Sequence, residues 1–156
     1  MRTKLLAFVM LFGFALQSWG QNIETFTNVH DSSSEHFGTK EIPADILQKM
    51  LGYYKYYDSN NGEPYAELKE NNKGFFQMHG TPAYPIEYWL EVNKQGEPLM
   101  RKGEDNPNFQ IVLILKYGAN SEAGGGWWNG KYSRIPVTFD MENKKANILS
   151  ERYKDF

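Results

Sequence analysis

Turn signals recur along this chain between strand-length segments, and that spacing most constrains what it can fold into. Residues 58–62 (DSNNG), 71–74 (NNKG), 80–82 (GTP), 93–96 (NKQG) and 140–145 (DMENKK) are dense in residues that reverse a backbone. The segments between them read as strands. Residues 53–57 (YYKYY) are aromatic, residues 64–70 (PYAELKE) alternate, and residues 75–79 (FFQMH) follow a hairpin-length turn. In residues 86–92, Ile86, Tyr88, Leu90 and Val92 share one face, opposite Glu87, Trp89 and Glu91. Residues 109–117 (FQIVLILKY) are apolar on both faces, as a central strand is, and 130–139 and 146–153 complete the set. No helices alternate with these strands. The expectation is an all-β fold with one short N-terminal helix: an antiparallel meander closed as a β-barrel of seven or eight strands, with a β-sandwich as the alternative.

The first 20 residues read as a secretory signal peptide. Arg2 and Lys4 form a basic start, residues 5–16 (LLAFVMLFGFAL) are uncharged and apolar, and Ser18 and Gly20 are small residues at the cleavage-specifying positions. The apolar run is shorter than the ~20 residues of a membrane helix, so no membrane span is expected after cleavage. The expected localisation is bacterial and exported, periplasmic or extracellular. Losing Arg2 and Lys4 makes the formal net charge of −2 more negative, the wrong sign for a general nucleic-acid partner. The absence of cysteine excludes disulfides, thiolate metal sites, a cysteine nucleophile and a lipidated cysteine anchor. The remaining chain divides into a polar arm, residues 21–40, read as mobile or as a weakly docked strand, and a single β domain over residues 41–156.

Residues 41–52 (EIPADILQKMLG) carry the helical signal. Pro43 suits a first helical turn, Ile42, Ile46 and Met50 recur at four-residue spacing beside Leu47 and Leu51, and Gly52 is a stop. So short a helix must pack on the sheet to persist. Leu51-Gly52-Tyr53-Tyr54 after it resembles the G-x-W entry into the first strand of lipocalin-like (calycin-type) proteins, with Tyr54 where that family has Trp. The hairpin over residues 65–76 and Trp89 in an I-x-W-x-L pattern resemble elements of small bacterial lipocalin-like domains. The resemblance implies a meander barrel with a helix at one end and an apolar ligand in its mouth. It implies no catalytic residue.

Chemistry-bearing constellations are sparse. His30 and His36 stand near Asp31 and Glu35, but in the polar arm, where solvation is the better reading; no metal and no cofactor is expected. Residues 58–62 fail as a calcium loop because Lys69 stands where a bidentate Glu is needed. Gly124-Gly-Gly126 leads into Trp127-Trp128 and is no phosphate loop. The chain has no G-x-S-x-G, its serines fall mostly in turns, and a triad would have to recruit His79 without any cue. Glu87 and Glu91 share a strand face but lie roughly 13 Å apart, too far for a retaining carboxylate pair, and read as a solvated outer face. An enzyme is therefore not expected.

Aromatic residues are the one group above background. Tyr54, Tyr56, Tyr88, Trp89, Trp127 and Trp128 are the candidate ligand-binding residues, since rings in excess of one core face point into a lumen or outward. The leading expectation is a binding module for a small apolar or amphipathic molecule. The alternatives are a carbohydrate-binding module that stacks glycans on exposed rings, and an envelope protein-interaction domain.

Overall fold

The computed structural model describes residues 22–122 and 124–156; the leader expected over residues 1–20 lies outside them. Two strands, β1 (Ile23–Phe26) and β2 (His36–Thr39), precede helix α1 (Ala44–Met50). Then come β3 (Gly52–Tyr56), β4 (Ala66–Lys69), β5 (Lys73–Gln77), β6 (Ala83–Val92), the two-residue β7 (Arg101–Lys102) and β8 (Phe109–Tyr117). The chain ends with β9 (Tyr132–Asp140), β10 (Lys145–Ile148) and β11 (Arg152–Asp155).

Every pairing between named strands is antiparallel, and eight of the strands close on themselves in the order β3-β4-β5-β6-β8-β9-β10-β11. Closure rests on β11 against β3, with Arg152 opposite Tyr56, and on β6 against β8, from Ile86–Tyr117 to Leu90–Leu113. The expected meander barrel is thus the fold, with all eight strands in sequence order. A closed barrel leaves no free sheet edges, which answers the edge problem of so many short strands.

Alternation along each strand decides what enters the barrel. Tyr84, Ile86, Tyr88, Leu90 and Val92 of β6 and Ile111, Leu113, Leu115 and Tyr117 of β8 are all buried in one cluster with Tyr54, Phe76, Val137 and Phe139. α1 closes the end where β3 begins and β11 ends. Ile46 and Met50 join that cluster, and Lys154 of β11 donates to the Lys49 carbonyl at 2.8 Å. Gly52 turns the chain from helix into β3 at φ +131°, a conformation that side chains rarely adopt.

Two expectations change. Residues 146–153, expected as one strand, are a hairpin that turns at Leu149 and Ser150, both at positive φ. The arm, for which both a mobile and a docked reading stood open, carries β1 and β2, which pair with each other and extend β6 through Phe37–Val92 and Thr39–Leu90. The arm is therefore a strap lying across the outside of the barrel.

Candidate functional site

The six aromatic candidates do not converge. Tyr54 and Tyr88 are interior side chains, and their hydroxyls donate to the carbonyls of Met50 and Lys69, each at 2.6 Å. Burial pushes the Tyr54 phenol well above its ordinary value and that of Tyr88 up to about 12. Tyr56 stands at the end of the barrel away from α1, edge-on to His79. Trp127 and Trp128 lie in the loop between β8 and β9 at that same end. Trp128 rests on Tyr117 and His30, while Trp127 is 76% exposed with the Lys131 ammonium 3.2 Å from its ring centroid. Trp89 is on the outer face of β6, beneath the strap.

The interior itself is occupied by the chain's own side chains. The Tyr54, Phe76, Tyr88, Tyr117 and Phe139 rings and Met50 are at most 3% exposed. An eight-stranded barrel is just wide enough for such side chains to fill. Arg152 enters from the end opposite α1, pairs with Glu151, donates to the Gln77 carbonyl at 2.7 Å and lies over Phe76. Desolvation lowers its guanidinium pKa.

The outer face of β6, β8 and β9 is more elaborate. Phe26, Val29, Trp89 and Ile114 form a second apolar cluster there, with Tyr132 against it. Trp89 meets Phe26 edge-to-face at 5.2 Å. Glu91, two residues along β6, is only 1% exposed; the solvated face expected for Glu87 and Glu91 holds for Glu87 alone. Glu87 accepts from Lys40 and lies 3.3 Å from Lys73, and the Lys40 hydrogen bond holds its carboxyl below the usual range.

Glu91 is held from two sides. From β9, Arg134 spans it as a fork, with Nε 3.0 Å from Oε1 and 3.1 Å from Oε2, and Nη2 2.7 Å from Oε2. From the strap, His36 Nδ1 lies 2.7 Å from Oε1. The other ring nitrogen of His36, Nε2, is 2.7 Å from Ser32 Oγ. Ser32 is fixed by its own turn: its N–H donates to the Val29 carbonyl at 3.1 Å, and its Oγ accepts from the Ser34 N–H at 3.2 Å. Asp31, immediately before it, adopts φ +61°. Sequence reasoning missed this assembly because its members come from the strap, β6 and β9. Its one sequence trace is Glu91, which shares the outward row of β6 with Glu87 and reads no differently from it.

Arg134 also lines a groove of about 600 Å³ between the β6–β8 connection and the outer faces of β8 and β9. Leu99, Met100, Val112 and Pro136 make its apolar part. Arg101 supplies a guanidinium group and Gln110 an amide, the Arg134 guanidinium is already paired with Glu91, and no acid is among the described lining residues. Leu99 and Met100 are exposed hydrophobic side chains. Comparisons with protein-family models, curated proteins and solved structures return no match to the chain.

Proposed function

We propose that the protein is an exported binding module of lipocalin-like architecture that holds a small amphipathic anion in the groove on its outer face. The supporting observation is the composition of that groove: exposed Leu99 and Met100 beside Arg101, with no acid among the described lining residues, on a chain of net negative charge. Apolar lining with a few placed polar groups is the usual make-up of a small-molecule site. The barrel is the scaffold here rather than the container, since its interior is already filled.

Calorimetric titration of the purified protein with decanoate tests this. Saturable binding that Arg101→Glu weakens about tenfold or more is expected, since a single charge-assisted contact is of that size. No saturable binding, or binding indifferent to Arg101→Glu, would overturn it. The exposed ring of Trp127 favours glycan stacking as a second reading. Quenching of tryptophan fluorescence by oligosaccharides, abolished by Trp127→Ala, is the result that would replace the anion with a sugar.

A further inference from the structure

We propose that Ser32, His36 and Glu91 form a nucleophile–base–orienter relay that gives the protein a serine acyl-transfer activity toward small polar esters. The three side chains are in hydrogen-bond contact in the required order. Ser32 Oγ is 2.7 Å from His36 Nε2, and His36 Nδ1 is 2.7 Å from Glu91 Oε1.

The roles follow from which atoms can donate. A carboxylate gripped by an arginine fork is an acceptor only, so the contact at Nδ1 is an N–H from His36 to Glu91. A neutral imidazole bonded in this way keeps its Nε2 lone pair facing Ser32. The Ser34 N–H takes only one of the two Ser32 Oγ lone pairs, and toward an unprotonated Nε2 the hydroxyl serves as the donor. The base is screened from water, with the His36 side chain 10% exposed and Glu91 1%. Ser32 itself is half-buried and opens onto a cavity of about 520 Å³. Asn28, Lys131 and Tyr132 also line that cavity and bring polar side chains to it.

Water is the one co-reactant besides the ester. Ser32 Oγ bonds to the ester carbonyl carbon as its proton passes to His36 Nε2. The tetrahedral intermediate then collapses, the C–O bond to the alcohol breaks, and His36 returns the proton to the leaving oxygen. Water, deprotonated by His36, attacks the acyl-serine, releasing the carboxylic acid and restoring Ser32. Arg134 is a positioning residue, since it grips Glu91 and acts on the relay through it.

A fluorophosphonate probe tests the nucleophile directly, because its P–F bond breaks only when an activated oxygen attacks phosphorus. The purified protein is expected to take up one equivalent at Ser32, located by peptide mass spectrometry. Labelling should fall at least about 100-fold in Ser32→Ala and be unchanged in Ser59→Ala, the factor being that of a positioned general base. Glu91→Gln should slow labelling about tenfold or more while the label stays on Ser32. Because the half-buried Ser32→Ala is expected to keep its circular dichroism and melting temperature, loss of label there is not loss of fold. A wild-type protein that stays unlabelled, labels at another residue, or labels equally in Ser32→Ala would overturn the proposal and leave the three residues as a tether for the strap.

Discussion

Trp89 donates its indole N–H to Glu24 across 2.8 Å, joining the outer face of β6 to the first strand of the strap. That contact explains why Trp89, in the outward row of its strand, is 4% exposed. Phe26 covers it on one side, Tyr132 lies 6.5 Å from it, and the Lys40 ammonium stands 5.0 Å over the ring. The strap converts an apolar patch on the barrel wall into a second core, and it carries Ser32 and His36 to Glu91.

The closeness of strap and wall makes Gly38 irreplaceable by anything larger. A Cβ there would lie 2.8 Å from Trp89 Cβ and 3.0 Å from the Phe26 ring. Both neighbours belong to packed elements, so Gly38→Ala is expected to cost about 2 kcal/mol, the usual size of overpacking. Denaturant midpoints and hydrogen exchange check it. Exchange should accelerate across residues 23–39 before the barrel strands, and an unchanged strap would refute the packing.

Removing Glu91 leaves both its partners without an acceptor. Glu91→Ala is expected to destabilise the fold by about 2 kcal/mol, less than a wholly buried pair would lose, because the Arg134 side chain is 39% exposed and can recruit water. Glu91→Gln should cost less, since an amide oxygen still accepts from His36. Equal costs for the two variants, measured by urea unfolding, would show that the charge rather than the acceptor matters.

Alkaline pH should unfold the barrel through its interior phenols. Burial raises Tyr54, Tyr88 and Tyr117, with Tyr88 reaching about 12 against an ordinary 10.0. Folded values above unfolded ones mean that this stability is fully present below pH 10. It is lost as pH rises through 10 and on past about 12. Each phenol that stays protonated in the folded state contributes a slope of up to about 1.4 kcal/mol per pH unit in that window. Urea midpoints that stay flat from about pH 9 to about pH 11 would contradict the filled interior.

The β10–β11 turn offers a gain instead. Within the three residues between paired Ile148 and Arg152, Leu149 and Ser150 adopt φ of +55° and +56°, consecutive positive values that Asn-Gly adopts with least strain. Leu149 is exposed, and the Ser150 contacts use only its backbone: its N–H donates to Asn147 Oδ1 and its carbonyl accepts from Tyr153. The double variant Leu149→Asn, Ser150→Gly is expected to stabilise by about 1 kcal/mol. A lower melting temperature would show that Leu149 packs productively.

The same turn shows where sequence legibility stops. Residues 58–62, 71–74 and 93–96 announced their turns through Asn and Gly, and the strands they bound came out in order. Leu-Ser carries no such signal, so residues 146–153 read as one strand. At the candidate site the loss is larger. Ser32 and His36 sit in a polar stretch with no period, and Glu91 reads as one more outward acid, because nothing local records what covers a strand's far face.

The sequence by itself determined the class of this protein: strand-length alternation, hairpin-length turns and one short amphipathic helix admit little besides an antiparallel meander. Those are local properties, set by side-chain period and turn chemistry within a few residues. Tertiary structure alone decided that the interior rings fill the barrel, that residues 23–39 strap its wall, and that Ser32, His36, Glu91 and Arg134 meet. Each of these depends on closure and on pairing between distant segments, such as Phe37 with Val92, and register between distant strands is a three-dimensional fact that no local pattern encodes.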